Sequence, residues 1–86
     1  MNEKRMDSKK IGTAIRALRQ EKRLSQQELA NALFVDRTLV NKWEHGKANL
    51  TIHTLSLLSR YFEVDIRYFF TDQKSINESE VIGNKE

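Results

Sequence analysis

Cysteine and proline are absent from the 86-residue chain, and glycine occurs only three times. Without cysteine there is neither a disulfide framework nor a thiolate metal site to hold a small chain together. Without proline, and with so little glycine, few positions interrupt a helix. No apolar run approaches the roughly 20 residues of a membrane span, and no signal-peptide pattern opens the chain, so a soluble cytoplasmic protein is expected. A chain of this length makes one domain, near the lower end of what a single apolar core sustains unaided. Stability must then come from helix packed on helix, and the expected class is all-α.

Catalytic arrangements are missing as well. The two histidines, His45 and His53, have no acid–base partner or nucleophile nearby in the sequence. Neither a glycine-rich phosphate loop nor a metal-ligand spacing appears, so no enzyme, metal or cofactor is expected.

The charge that is present is unevenly placed. The net value is only +3. Yet residues 1–24 hold eight Lys/Arg against Glu3, Asp7 and Glu21, residues 25–70 balance five against five, and residues 71–86 hold two bases against four acids. A basic amino-terminal third and an acidic tail suggest one side turned towards a polyanion.

Periodicity divides the chain. Residues 1–7 are polar and aperiodic and read as a loose arm. Ser8 is placed to cap a helix in which Ile11, Ala14, Ile15, Leu18 and Lys22 share one face. Ser25-Gln26-Gln27-Glu28 reads as a capping box, with Leu24 and Leu29 placed as a hydrophobic staple. That helix is short, turns Leu29, Ala30 and Leu33 inward and should end near Phe34. Asp36 is placed to cap the next helix, and Gly46 to end it in a left-handed conformation. Only Phe34, Val35 and Asp36 separate the two, and short helices joined so tightly form a helix-turn-helix. A fourth helix is predicted from about Thr51 to Phe62, with Ile52, Leu55, Leu58, Ser59 and Phe62 inward. Asp65 then caps a last short turn over Ile66–Phe70, and residues 72–86 lose the apolar period and read as a flexible tail.

On a wheel of about 100° per residue, the segment Arg37–His45 divides into two faces. Leu39, Val40 and Trp43 form one, and Arg37, Thr38, Asn41, Lys42 and His45 the other. Any surface helix has a polar side, but this side is matched to nucleic acid. Arg and Lys suit guanine O6/N7, Asn suits adenine N6/N7, and the Thr methyl suits that of thymine.

The ordered motifs Ile15-Arg16-x-Leu18-Arg19, Leu24-Ser25-Gln26-x-Glu28-Leu29-Ala30, Val40-x-Lys42-Trp43-Glu44-x-Gly46-Lys47, Leu55-x-x-Leu58 and Tyr61-Phe62-Glu63-Val64-Asp65 give the segment Ile11–Phe70 a family likeness. It resembles the Cro/cI-type helix-turn-helix regulators, also called the xenobiotic-response-element family. The resemblance implies a compact five-helix, lambda-repressor-like DNA-binding domain over residues 8–71. It further implies base reading by Arg37, Thr38, Asn41 and Lys42, and phosphate contacts from Ser25, Gln26, His45 and Lys47. Arg19 and Glu44 match a structural ion pair between the first helix and the end of the third. Two positions depart from the pattern. Phe34 stands where glycine is usual, and Asn49-Leu50 replaces a stretch that often contains proline.

Such domains usually bind DNA as two-fold dimers. Leu57, Tyr61, Ile66 and Phe70 are candidates for a self-complementary contact, although the same residues could simply cover a small core. The expected function is thus sequence-specific binding of double-stranded DNA by a transcriptional regulator, a repressor and homodimer. The alternatives are an antitoxin, a restriction-system controller or a partner-binding module on the same fold. In the antitoxin case the tail, with Ile76, Val81 and Ile82, would fold on its partner.

Overall fold

The computed structural model describes residues 7–70. The expected arm, apart from Asp7, and the expected tail lie outside the described residues. The chain forms α1 (Ser8–Glu21), α2 (Gln26–Leu33), α3 (Arg37–Glu44) and α4 (Ile52–Phe62), followed by a 3-10 turn, Ile66–Phe70. No strand occurs among the described residues. The expected fifth helix is therefore this turn. Five residues behind an Asp65 cap are too few for a run of i→i+4 bonds, and the tighter i→i+3 pattern replaces it.

Each helix starts where a short oxygen-bearing side chain precedes an apolar period. Ser25 and Glu28 form the reciprocal capping box: Glu28 N donates to Ser25 Oγ at 3.0 Å, and Ser25 N to the Glu28 carboxylate at 2.8 Å. Thr51 accepts from Thr54 N at 3.1 Å. At α1 the cap is Asp7, not Ser8. The Asp7 carboxylate accepts from Lys10 N, while the Ser8 hydroxyl, one position inside the helix, faces Asn49 Oδ1 at 3.5 Å. Asp36 occupies the cap position of α3 with extended backbone but makes no side-chain cap bond. Its carbonyl still accepts from Leu39 N and Val40 N and starts the helix.

All four helices end the same way. A left-handed residue donates to the carbonyl three positions back, and the next residue donates to the carbonyl five back, the Schellman closure. The pairs are Arg23→Gln20 with Leu24→Arg19, Phe34→Asn31 with Val35→Ala30, Gly46→Trp43 with Lys47→Lys42, and Glu63→Arg60 with Val64→Ser59. Only one of the four left-handed residues is glycine. A residue with Cβ costs roughly 1–2 kcal/mol in that conformation. At three of the ends the next residue, Leu24, Val35 or Val64, packs against the core and offsets that cost.

Ile11, Ala14, Ile15 and Leu18 of α1 meet Leu29 and Ala30 of α2, Val40 and Trp43 of α3, and Leu55, Leu58 and Phe62 of α4 in one buried cluster. Leu50 from the loop and Phe69 from the 3-10 turn complete it. Both α1 and α2 pack on α3, and the 3-10 turn folds back on α1 and α4. Leu33 and Leu39 are only partly buried at the edge of the core. Ile52, expected inward, is 56% exposed, because at about 100° per residue it lies roughly 85° from the middle of the buried stripe Leu55, Leu58 and Phe62. Ser59 is half-buried and returns its hydroxyl to the Ser56 carbonyl. Lys22 is exposed beyond the end of α1. No helix among the described residues is long and apolar enough to cross a membrane.

Candidate nucleic-acid interface

The tight turn Phe34–Asp36 sets α3 against α2, and burial of Val40 and Trp43 fixes which side of α3 faces out. Arg37, Thr38, Lys42 and His45 are exposed on that outer side, and Asn41 is half-buried at its edge. Lys47 is exposed just past the helix. The structure thus brings the sequence-derived candidates onto one surface: α3 supplies Arg37, Thr38, Asn41 and Lys42, and the turn after it supplies His45 and Lys47.

A single ion pair locks this helix in place. Arg19 Nε donates to Glu44 Oε2 at 2.5 Å and Nη2 to Oε1 at 3.0 Å, while Nη1 donates to the Leu24 carbonyl at 2.7 Å. The Glu44 side chain is only 2% exposed. A fork of this kind fixes direction as well as distance. The hydrogen bonds it donates to Glu44 hold the Arg19 guanidinium above its usual pKa, outweighing the opposing effect of burial. Arg19 therefore joins α1, the loop before α2 and the end of α3, the structural role implied for it.

Gln26 opens α2, but its side chain turns back towards α3. Nε2 donates to Glu44 Oε1 at 3.1 Å, and Oε1 accepts from Asn41 Nδ2 at 3.4 Å. The Ser25 hydroxyl oxygen is the acceptor in the capping box, which leaves its proton to donate outward. His45 Nδ1 lies 2.9 Å from the Asn41 carbonyl. A carbonyl only accepts, so Nδ1 carries the proton and Nε2 is the other ring nitrogen.

Phe34 keeps the left-handed backbone that glycine usually supplies, with φ 60°, and its ring is 94% exposed. The exposed ring offsets none of that strain, which is left to the packing of Val35 after it. Of the four candidates for self-association, Leu57, Tyr61 and Phe70 are exposed, while Ile66 is half-buried against the core of its own chain.

Three residues near the interface escaped sequence reasoning. Gly12 lies where α1 crosses the end of α3: a Cβ there would run into the Trp43 carbonyl oxygen and come within 2.9 Å of the Glu44 carbonyl oxygen. The signal was a glycine inside an otherwise regular helical period. Lys9 runs its stem along Gly46, where a Cβ would meet Lys9 Cγ at 2.9 Å. This places a basic residue of the amino-terminal third beside the turn that holds His45 and Lys47. Leu50 is a buried loop residue with no periodic partner to betray it. Among the described residues there is no cluster of His, Cys, Asp or Glu able to hold a metal ion.

Comparison with known proteins agrees with this architecture. The chain is 35% identical over 66 residues to the HTH-type transcriptional activator BcrR of Enterococcus faecalis, spanning 77% of this chain but only 32% of BcrR. It is 36% identical over 61 residues to the ImmF control region 10 kDa protein of Bacillus phage phi105, spanning 71% of this chain and 68% of that one. The crystal structure of the restriction-modification controller protein C.AhdI from Aeromonas hydrophila superposes with a TM-score of 0.67 at 32% identity, covering 73% of this chain and 96% of that chain. The helix-turn-helix family model HTH_3 matches residues 15–69. With its crossing helices, its partly buried Arg19–Glu44 lock and that match, the chain belongs to the helix-turn-helix family, of the xenobiotic-response-element type.

Proposed function

We propose that this protein is a transcriptional regulator that binds double-stranded DNA in a sequence-specific way, with α3 in the major groove. One observation carries the reading: Arg37, Thr38, Asn41 and Lys42 share the outer side of a helix whose inner side is anchored by Val40, Trp43 and Glu44. Groove reading needs donors and acceptors held on a rigid element at the width of a helix, and this face supplies them. Lys47 and Lys9, with His45 beside them, supply phosphate contacts on one side. The Ser25 hydroxyl and the N-terminus of α2 at Gln26 supply them on the other.

One domain reads few bases, so two copies bind inverted half-sites about 34 Å apart. Leu57, Tyr61, Ile66 and Phe70 form the contact between copies. Binding in a promoter then represses by occupying it. The likeness to C.AhdI over nearly all of that chain favours a second, narrower reading, control of a restriction-modification system.

Selection of bound duplexes from a random pool at a stated salt concentration tests the proposal. The expected product is a short motif repeated in inverted orientation at one helical turn. Recovery of no enriched sequence contradicts it. An unpaired motif, together with monomeric sedimentation on DNA, contradicts the dimer.

A further inference from the structure

Glu44, Gln26 and Asn41 form a chain whose donor and acceptor order admits one solution. A carboxylate accepts and does not donate. Both Glu44 oxygens face donors, Oε2 facing Arg19 Nε and Oε1 facing Arg19 Nη2 and Gln26 Nε2. Gln26 must therefore present its NH2 to Glu44, which turns its Oε1 towards Asn41. Only an N–H of Asn41 can meet that oxygen, as the 3.4 Å contact has it. The amide of Asn41 is thus oriented by a sequence of constraints that starts at a partly buried ion pair. It keeps one N–H and its carbonyl oxygen for a ligand, the pair of groups that matches adenine N7 and N6.

We propose that Gln26 is a positioning residue for base recognition: through the order Arg19→Glu44←Gln26←Asn41 it fixes the amide of Asn41 and so sets a preference for adenine at one position of each half-site. This rests on the DNA-reading function above and adds to it a residue that decides specificity without itself touching a base. A flexible amide on a free helix surface would spend binding energy on being ordered and could present either end to a base. An amide already oriented does neither.

The test compares wild type, Asn41→Ala and Gln26→Met, the last keeping the side-chain length while removing both hydrogen bonds. The affinity of each is measured for the selected site and its single-base variants at one salt concentration, with thermal unfolding as the control for folding. Wild type should favour adenine about tenfold or more at one position, as a bidentate pair does. Both variants should flatten that position and leave the others unchanged. A uniform loss for Gln26→Met at all positions means that Gln26 serves phosphate alone, and overturns the inference. A second arm needs no DNA: 15N relaxation of the Asn41 side-chain amide should show order in wild type and mobility in Gln26→Met. A mobile amide in wild type refutes the positioning and leaves the DNA-reading function standing. An ordered amide with no sequence preference in wild type refutes the DNA reading, and the inference with it.

Discussion

Gly12 of α1 sits directly against the carbonyl oxygen of Trp43 in α3, leaving no room for a Cβ. This contact sets how closely the two helices cross, and therefore where the outer side of α3 lies. Gly12→Ala pushes against backbone atoms that cannot rotate away. It should destabilise the domain by about 2–3 kcal/mol, in the range of overpacked cores. Urea denaturation measures this, and an unchanged midpoint would show that α1 shifts at no cost.

The Arg19–Glu44 pair should behave as a partly buried ion pair. Arg19→Ala strands a carboxylate that is 2% exposed and should cost about 3 kcal/mol. Replacing Arg19 by Met and Glu44 by Leu together should cost far less, since neither charge is left alone. Urea midpoints of the single and double variants decide this. Equal losses for Arg19→Ala and the double replacement would assign the effect to packing instead.

Phe34 holds a left-handed backbone with its ring in solvent. Glycine there removes a steric cost of roughly 1–2 kcal/mol, against an added unfolded-state entropy of roughly 0.5–1 kcal/mol. Phe34→Gly should therefore raise the thermal midpoint by a few degrees. A fall would mean that the ring contributes to folding.

Asp65 accepts from Arg67 N at 2.8 Å and from its guanidinium at 2.9 and 3.1 Å. The Arg67 side chain first, then its backbone N–H, lowers the Asp65 pKa from 3.8 to about 2. Since the folded-state pKa is the depressed one, the stabilisation is complete above pH 4 and is lost as pH falls towards 2. Asp65→Asn should be less stable than wild type at pH 5, and the gap should close at pH 2. A gap independent of pH would leave the ion pair and cap without a role.

Periodicity and caps made much of this fold legible in the sequence. Ser25-x-x-Glu28 and the inward residues of α1 and α4 other than Lys22, Ile52 and Ser59 lie where their spacing puts them, because local hydrogen bonding and one-sided burial act within a few residues. What was not legible depends on neighbours distant in sequence. Leu50 is buried by a loop path, and Gly12 is required by a helix 31 residues away at Trp43. The left-handed ends at Arg23 and Glu63 carry no glycine to mark them. The apolar residue that follows, Leu24 or Val64, is the better sign. At the interface, the outer side of α3 could be read from a wheel. The inward turn of Gln26 could not, because it depends on how α2 crosses α3.

The central claim, that the outer side of α3 reads sequence while the turn after it holds phosphate, is tested most directly by Arg37→Ala and Lys47→Ala on the selected site and on nonspecific DNA across a salt series. Arg37→Ala should lower discrimination between the two DNAs by about 1–3 kcal/mol. Lys47→Ala should weaken both alike and reduce the salt slope by about one. Intact discrimination in Arg37→Ala would contradict the account.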